Sequence, residues 1–296
     1  MNSINKDANH SYRVFSEIIT IDFKVPFLKP FITDKENFSI TKSKKIKNCE
    51  NKDYFLLNSE EAKFCKKDQV KVNIKENLTY QVLNKEICDS DLSFKLLTHP
   101  MGLFFFKKDN YVLHSSAINI NNKAFIFMGL SGSGKSSLIA SLLNFGEMIT
   151  EDISKIKFID NSAFVSPSIP VIKLSKDILD HHKFGIISEF NLAGDRRDRK
   201  GYVVKNFDKT NAPVRVHGCF ILNDSNSKKI EKVNSNFALR NLVMNSFGPI
   251  PKNKCLKSEN MLLQNISRFI DSVPVYNLPR QKKYSNKVIL DFVSAC

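Results

Sequence analysis

Along Val70-Lys-Val-Asn-Ile74 apolar side chains take every second position, the period of a strand with one buried face. Similar short segments at 18–23, Phe38–Lys42, Tyr54–Leu57 and 78–83 are separated by Lys- and Asn-rich turns. Residues 1–100 therefore read as a small, mostly β N-terminal domain. Between 89 and 107, Leu92, Phe94, Leu96, Leu97 and the apolar run to Phe106 predict a helix, broken near Pro100, that bridges to a second domain.

From Tyr111 the pattern changes. Residues 111–120 and Lys123–Met128 read as two strands across an Asn121-Asn122 turn. A Gly-rich loop, a helix at 135–144 and a strand ending near Thr150 follow. Further strands are predicted at 156–159, 163–165 and 169–174, a helix at 175–181, and a polar, Gly-containing loop over 188–202. Strands at 214–222, 229–233 and 273–278 and helices at 237–245 and 260–270 complete the pattern. Strand–loop–helix–strand order argues an α/β fold with a core sheet over residues 101–296. No repeat or low-complexity tract is visible.

Composition narrows the class. With 296 residues, 42% hydrophobic and 25% charged, the chain is globular rather than disordered or fibrous. Its longest apolar runs, 101–106 and 124–130, are far short of the ~20 residues of a membrane helix. The first ten residues carry no apolar signal region. The six cysteines are scattered without a C-x-x-C pair, which suits reduced thiols and a cytoplasmic protein. The net charge of +15 is uneven: residues 195–296 hold 19 basic and 8 acidic residues, and seven of the eight arginines. Arginine against a lysine bias points to phosphate or carboxylate recognition.

The chemistry is concentrated in Gly129-Leu130-Ser131-Gly132-Ser133-Gly134-Lys135-Ser136, which fits G-x-x-x-x-G-K-[ST] in full between an apolar strand and a helix opened by Ser137. Glycines let backbone N–H groups converge on phosphate oxygens, and the helix N-terminus adds positive partial charge. Lys135 reaches the β- and γ-phosphates, and Ser136 supplies a hydroxyl to Mg²⁺. Glu151-Asp152 ends the next strand and reads either as a solvated acidic turn or as paired carboxylates near the γ-phosphate. His114 reads either as structural or as part of the site. Arg196-Arg197-Asp198-Arg199-Lys200 reads either as a solvated basic loop or as a clamp, with Arg199 and Lys200 over the triphosphate or against an acidic acceptor. His181-His182 reads as a helix C-terminus.

His114-Ser-Ser-Ala-Ile118, the loop from Gly129 to Ser136 and the acidic pair, in that order, resemble the core of HPr kinase/phosphorylase, and more closely its shorter serine-kinase relatives, some of which phosphorylate lasso-peptide precursors. Pro170-Val-Ile-Lys-Leu174, Arg199-Lys200, Ala238-Leu-Arg-Asn-Leu242 and Val273-Pro-Val-Tyr-Asn-Leu278 extend the resemblance over about residues 100–290. It implies a P-loop core of the HPr-kinase C-terminal type. Asp152 is implied as acceptor of the substrate serine's proton, Ser136 and Asp152 as the metal set, and His114 as an active-site partner. The family's Asp-Asp is Glu151-Asp152 here, so either carboxylate could hold the base position. The family's E-V-R-G-x-G stretch has no counterpart, which argues for a kinase without the reverse phosphorylase activity.

The expectation is an ATP- and Mg²⁺-dependent kinase of a serine hydroxyl in a peptide or protein, including a ribosomal peptide precursor. The alternatives are a kinase of a small hydroxylated metabolite and a nucleotide sensor without turnover. No motif beyond the P-loop favours nucleic acid, no membrane partner is expected, and the resemblance allows an oligomer.

Overall fold

The structure, a computed structural model, describes residues 9–33, 37–46, 52–57, 61–223, 229–247, 256–279 and 286–295. Its first sheet comprises β1 (His10–Val14), β2 (Glu17–Ile21), β3 (Phe38–Lys42), β4 (Tyr54–Leu57), β5 (Ala62–Lys66), β6 (Val70–Ile74) and β7 (Leu78–Val82), in the order β1-β2-β3-β7-β6-β5-β4. Alternation sets its inner face: Val70, Val72 and Ile74 are buried and Lys71 and Asn73 are half-buried. Two helices follow, α1 (Asp89–Leu96) and α2 (His99–Lys107). The break comes at Leu97 and Thr98, before Pro100, because Pro100 sits in the first turn of α2 where its missing N–H costs nothing. The domain division drawn at residue 100 falls within α2.

The second sheet contains β8 (Tyr111–Leu113), β9 (Ser115–Ile120), β10 (Lys123–Met128), β11 (Glu147–Thr150), β12 (Ser154–Ile159) and β13 (Ser162–Val165). A third, three-stranded sheet is formed by β14 (Val171–Leu174), β15 (Ile186–Asn191) and β16 (Lys200–Val204) in the order β14-β16-β15. The strands β17 (Val214–Asn223), β18 (Glu231–Lys232) and β19 (Val275–Pro279) complete the second sheet. The remaining helices are α3 (Lys135–Leu142), α4 (Lys176–His181), α5 (Ser235–Asn245), α6 (Leu256–Ser272) and α7 (Asn286–Ala295).

Asn121 and Asn122 join β9 to β10 with φ of +53° and +60°, the left-handed pair that a type I′ hairpin requires. The strand predicted over 111–120 is broken at His114, whose amide donates to the Asn245 carbonyl at 2.6 Å rather than to a sheet neighbour. β8 then pairs with β12, while β9 pairs with β10 and β11. β10 lies parallel to β17, and β17 parallel to β19. The carboxyl end of β10 thus opens into the crevice where parallel sheets bind ligands.

One apolar cluster runs from Tyr12 through Phe38, Phe104 and Phe105 to Val293, so the first and second sheets share an interior. Phe38 and Phe104 lie 4.3 Å apart between ring centroids. The Phe15 amide donates to the Pro167 carbonyl at 2.7 Å, and Lys155 Nζ, paired with Glu17, stands 4.5 Å over the Phe105 ring. Truncating the buried Phe105 to Ala would cost about 3–5 kcal/mol. No helix among the described residues is long and apolar enough to cross a membrane. Cys65 and Cys219 are buried and Cys88 is exposed. Cys49, Cys255 and Cys296 lie outside the described residues.

Candidate functional site

β10 is buried almost throughout and delivers the chain to Gly129 at the carboxyl end of an interior strand. Gly129 has φ +153°, and a Cβ there would stand 2.7 Å from the Leu222 carbonyl oxygen, so only glycine fits. Gly132 and Gly134 adopt φ of +87° and +94°, and Gly134 is the N-cap of α3. Lys135 Nζ folds back on its own loop, donating to the Gly129 carbonyl at 2.7 Å. Burial lowers the Lys135 ammonium below its ordinary range, opposed by the Asp152 and Glu151 carboxylates. Arriving phosphate oxygens could replace that carbonyl with a full negative charge. Leu130, by contrast, is exposed.

The acidic pair follows β11 and splits at once into two environments. Ser136 Oγ donates to Glu151 Oε1 at 2.6 Å, and Glu151 Oε2 is buried without a hydrogen-bond partner among the described residues. Burial, reinforced by the adjacent Asp152 charge, pushes the Glu151 carboxyl up to about 7. Asp152 takes φ +67°, which turns its side chain the other way, into an ion pair with Lys173. Burial would raise Asp152, but Lys173, with His114 and His99, outweighs it and holds the carboxyl well below the usual range. His114 Nδ1 lies 3.0 Å from the Asp152 carbonyl, which can only accept, so the ring proton sits on Nδ1. Burial lowers both imidazoles, His99 to about 4.

The loop predicted over 188–202 is a loop only at 192–199, where Arg196, Arg197 and Arg199 lie; its two ends are strand. β15 and β16 form a hairpin whose tip, 192–199, bends over the P-loop. The tip is tied down from two sides. Asp195 accepts from the Arg197 amide at 3.0 Å and from Arg199 Nη2 at 2.7 Å. Asp91 Oδ2 on α1 accepts from the Ala193 amide at 3.0 Å. Arg197 Nη2 then donates to Ser131 Oγ at 3.1 Å, and its guanidinium stands 3.5 Å from where a Cβ on Gly132 would be.

Two cavities meet here. One of about 450 Å³ is lined by Ser131, Gly132, Gly134, Lys135, Ser136 and Ser137 of the P-loop and by His114. The other, about 690 Å³, runs out past Phe94 and Leu192 to Asp53 and Lys66 of the first sheet. His99, Ser131, Asp152, Lys173, Arg197 and Arg199 line both. Of the residues picked from the sequence, Lys200 is not brought in: its Nζ bonds Glu189 Oε1 at 2.6 Å, outside both cavities. Gly129, Leu130, Ser133 and Glu151 line neither cavity. Gly129 and Ser133 shape the loop, and Glu151 stands behind Ser136. His99 and Lys173 belong to the site without having been assigned a role in it, and Arg197 was placed only within the 196–200 cluster. Lys173 left a signal, a lone lysine inside the apolar run Val171-Ile-Lys-Leu174.

The expected metal set paired Ser136 with Asp152, whereas the structure sets Glu151 against Ser136. A hydroxyl backed by a carboxylate with one unpartnered buried oxygen is oxygen chemistry suited to Mg²⁺. Among the described residues no group of three His, Cys, Asp or Glu could hold a metal alone.

No protein-family model matches this chain, and no curated protein matches it. Among solved structures, it is similar to the Hpr(Ser) kinase/phosphatase from Coxiella burnetii, at 12% identity and a TM-score of 0.33, over 62% of this chain and 88% of that one.

Proposed function

We propose that this chain is an ATP- and Mg²⁺-dependent kinase that transfers the γ-phosphate to a serine hydroxyl of a peptide or protein. The carrying observation is that a single carboxylate, Asp152, faces both the P-loop cavity and the neighbouring 690 Å³ cavity. In this reading the triphosphate lies on the P-loop amides, with Lys135 and Arg197 on its terminal oxygens. Ser136 and Glu151 would hold Mg²⁺, which when bound would neutralise charge developing on the phosphate oxygens.

The acceptor hydroxyl enters from the second cavity and loses its proton to Asp152. A new bond forms from the serine oxygen to the γ-phosphorus, the bond to the β,γ-bridging oxygen breaks, and ADP leaves. Lys173 keeps Asp152 ionised in the resting site. When the triphosphate arrives it shares Lys173, which raises the proton affinity of Asp152 at the moment a base is needed. His114 holds the Asp152 carbonyl and so fixes the left-handed turn; it is a positioning residue.

The test is incubation of the full chain with ATP, Mg²⁺ and synthetic serine peptides, read by mass spectrometry. Phosphoserine with the wild type and none with Lys135→Ala is the expected result. ATP binding without phosphate on any hydroxyl would overturn the kinase reading in favour of a sensor.

A further inference from the structure

The 690 Å³ cavity has a wall that the P-loop core does not supply. Lys66 on β5 and Asp53, just before β4, close its outer end, so residues of the first sheet face Asp152 across the cavity. Six cations line it, Lys66, Lys95, Lys173, Arg196, Arg197 and Arg199, against three carboxylates, Asp53, Asp152 and Asp195. The surplus is positive, and apolar surface from Phe64, Phe94 and Leu192 lies between the charges.

Exposure is graded along it. At the inner end the Lys173 and Asp152 side chains are 12% and 8% exposed. At the outer end Lys66 and Arg196 flank Asp53 at 2.8 Å and 3.5 Å and are 34% and 86% exposed. One carboxylate is thus shared between two half-free cations at the mouth, while the reactive carboxylate lies at the bottom. An occupant that matches this gradient is extended. It has a hydroxyl at one end, apolar or neutral atoms in the middle, and negative charge where the cavity meets water.

We infer that this cavity is the acceptor site, that the first sheet forms its outer wall, and that it takes a peptide segment whose acceptor serine has Asp or Glu side chains a few residues away. This rests on the kinase reading only for the transfer step; the binding claim stands on the cavity itself. Lys66 and Arg196 select the acidic flank, displacing Asp53 as their partner.

The experiment compares two synthetic peptides, one with its serine flanked by glutamates and one with glutamines in their place. Binding to the full chain is read by fluorescence anisotropy with a non-hydrolysable ATP analogue present, and transfer is read separately with ATP. The glutamate peptide is expected to bind roughly 10-fold or more tightly than the glutamine peptide at low salt, with the preference shrinking as salt rises. In Lys66→Glu/Arg196→Glu the preference should vanish or reverse, while Lys157→Glu, an exposed charge lining neither cavity, should leave it intact. Both variants change surface residues, and unfolding curves check that they fold.

Equal affinity of the wild type for the two peptides would overturn the inference. So would no peptide binding at all, or tight binding of a small anionic hydroxy acid that both peptides fail to displace. Charge-selective binding without phosphate transfer supports the inference and sinks the kinase reading. Transfer indifferent to the flanks does the reverse.

Discussion

The two cavities that meet at Asp152 are built in opposite ways. The smaller one takes six of its fifteen lining residues from a single stretch, 131–137, where glycine conformations hold the backbone amides and Lys135, with Lys173, Arg197 and Arg199 adding charge from elsewhere. The larger one gathers side chains from six separate places: the 53–69 region of the first sheet, residues 94–99 of α1 and α2, Ser131, Asp152, Lys173, and the 192–199 hairpin tip. Phosphate is the same in every nucleotide, so a local backbone cradle suffices. An acceptor is particular, and its site depends on tertiary structure bringing unrelated segments together.

That contrast can be broken from either side. The largest effect is expected at the junction. Lys173→Met leaves Asp152 buried without its cation, which should cost about 3–5 kcal/mol in unfolding free energy and lower phosphoryl transfer at least 100-fold. Thermal unfolding and a transfer assay read the two effects separately. Arg197→Ala touches the P-loop cradle from the hairpin and should weaken ATP binding by about 10-fold, measured by calorimetry.

Glu151→Gln sharpens the difference within the acidic pair. The folded Glu151 carboxyl is raised from 4.5 to about 7, so the folded state holds its proton where the unfolded chain has released it. Stability from this group is complete below about pH 4.5 and is lost as pH rises to about 7. Without nucleotide or metal, the glutamine variant should therefore gain stability over wild type on going from pH 5 to pH 8, on the order of 1–3 kcal/mol. No such gain would mean Glu151 is already ionised in the resting protein. The smallest effect is expected at Lys200: Lys200→Ala should change ATP binding and transfer by less than about twofold, because its ammonium pairs with Glu189 outside both cavities.

The same contrast explains what could be read from the sequence. The glycine-rich turn before α3, the Asn121-Asn122 hairpin and the alternation of β6 are local devices, and each stands where the pattern put it. The strand ends within the loop predicted over 188–202 are not legible because β15 is exposed along nearly its whole length, so its apolar residues do not mark one buried face. The Arg196–Lys200 cluster announced positive charge but not direction. Strand geometry and the Asp195 and Asp91 anchors turn Arg197 to the P-loop and Lys200 away from it. His114 looked like a residue within one strand, and only the Asn245 carbonyl, 131 positions further on, breaks that strand. The Glu151-Asp152 pair was legible as a pair. Its division was not, because it depends on the left-handed φ at Asp152 and on Lys173 arriving from another sheet.

The division of labour at Asp152 is tested most directly by measuring ATP–Mg²⁺ affinity and phosphoryl transfer to a serine peptide on the same preparation of Asp152→Asn. The account expects affinity within about threefold of wild type and transfer lower by at least 1,000-fold, the loss of the proton acceptor alone. Transfer within about tenfold of wild type, or loss of nucleotide binding together with transfer, would contradict it.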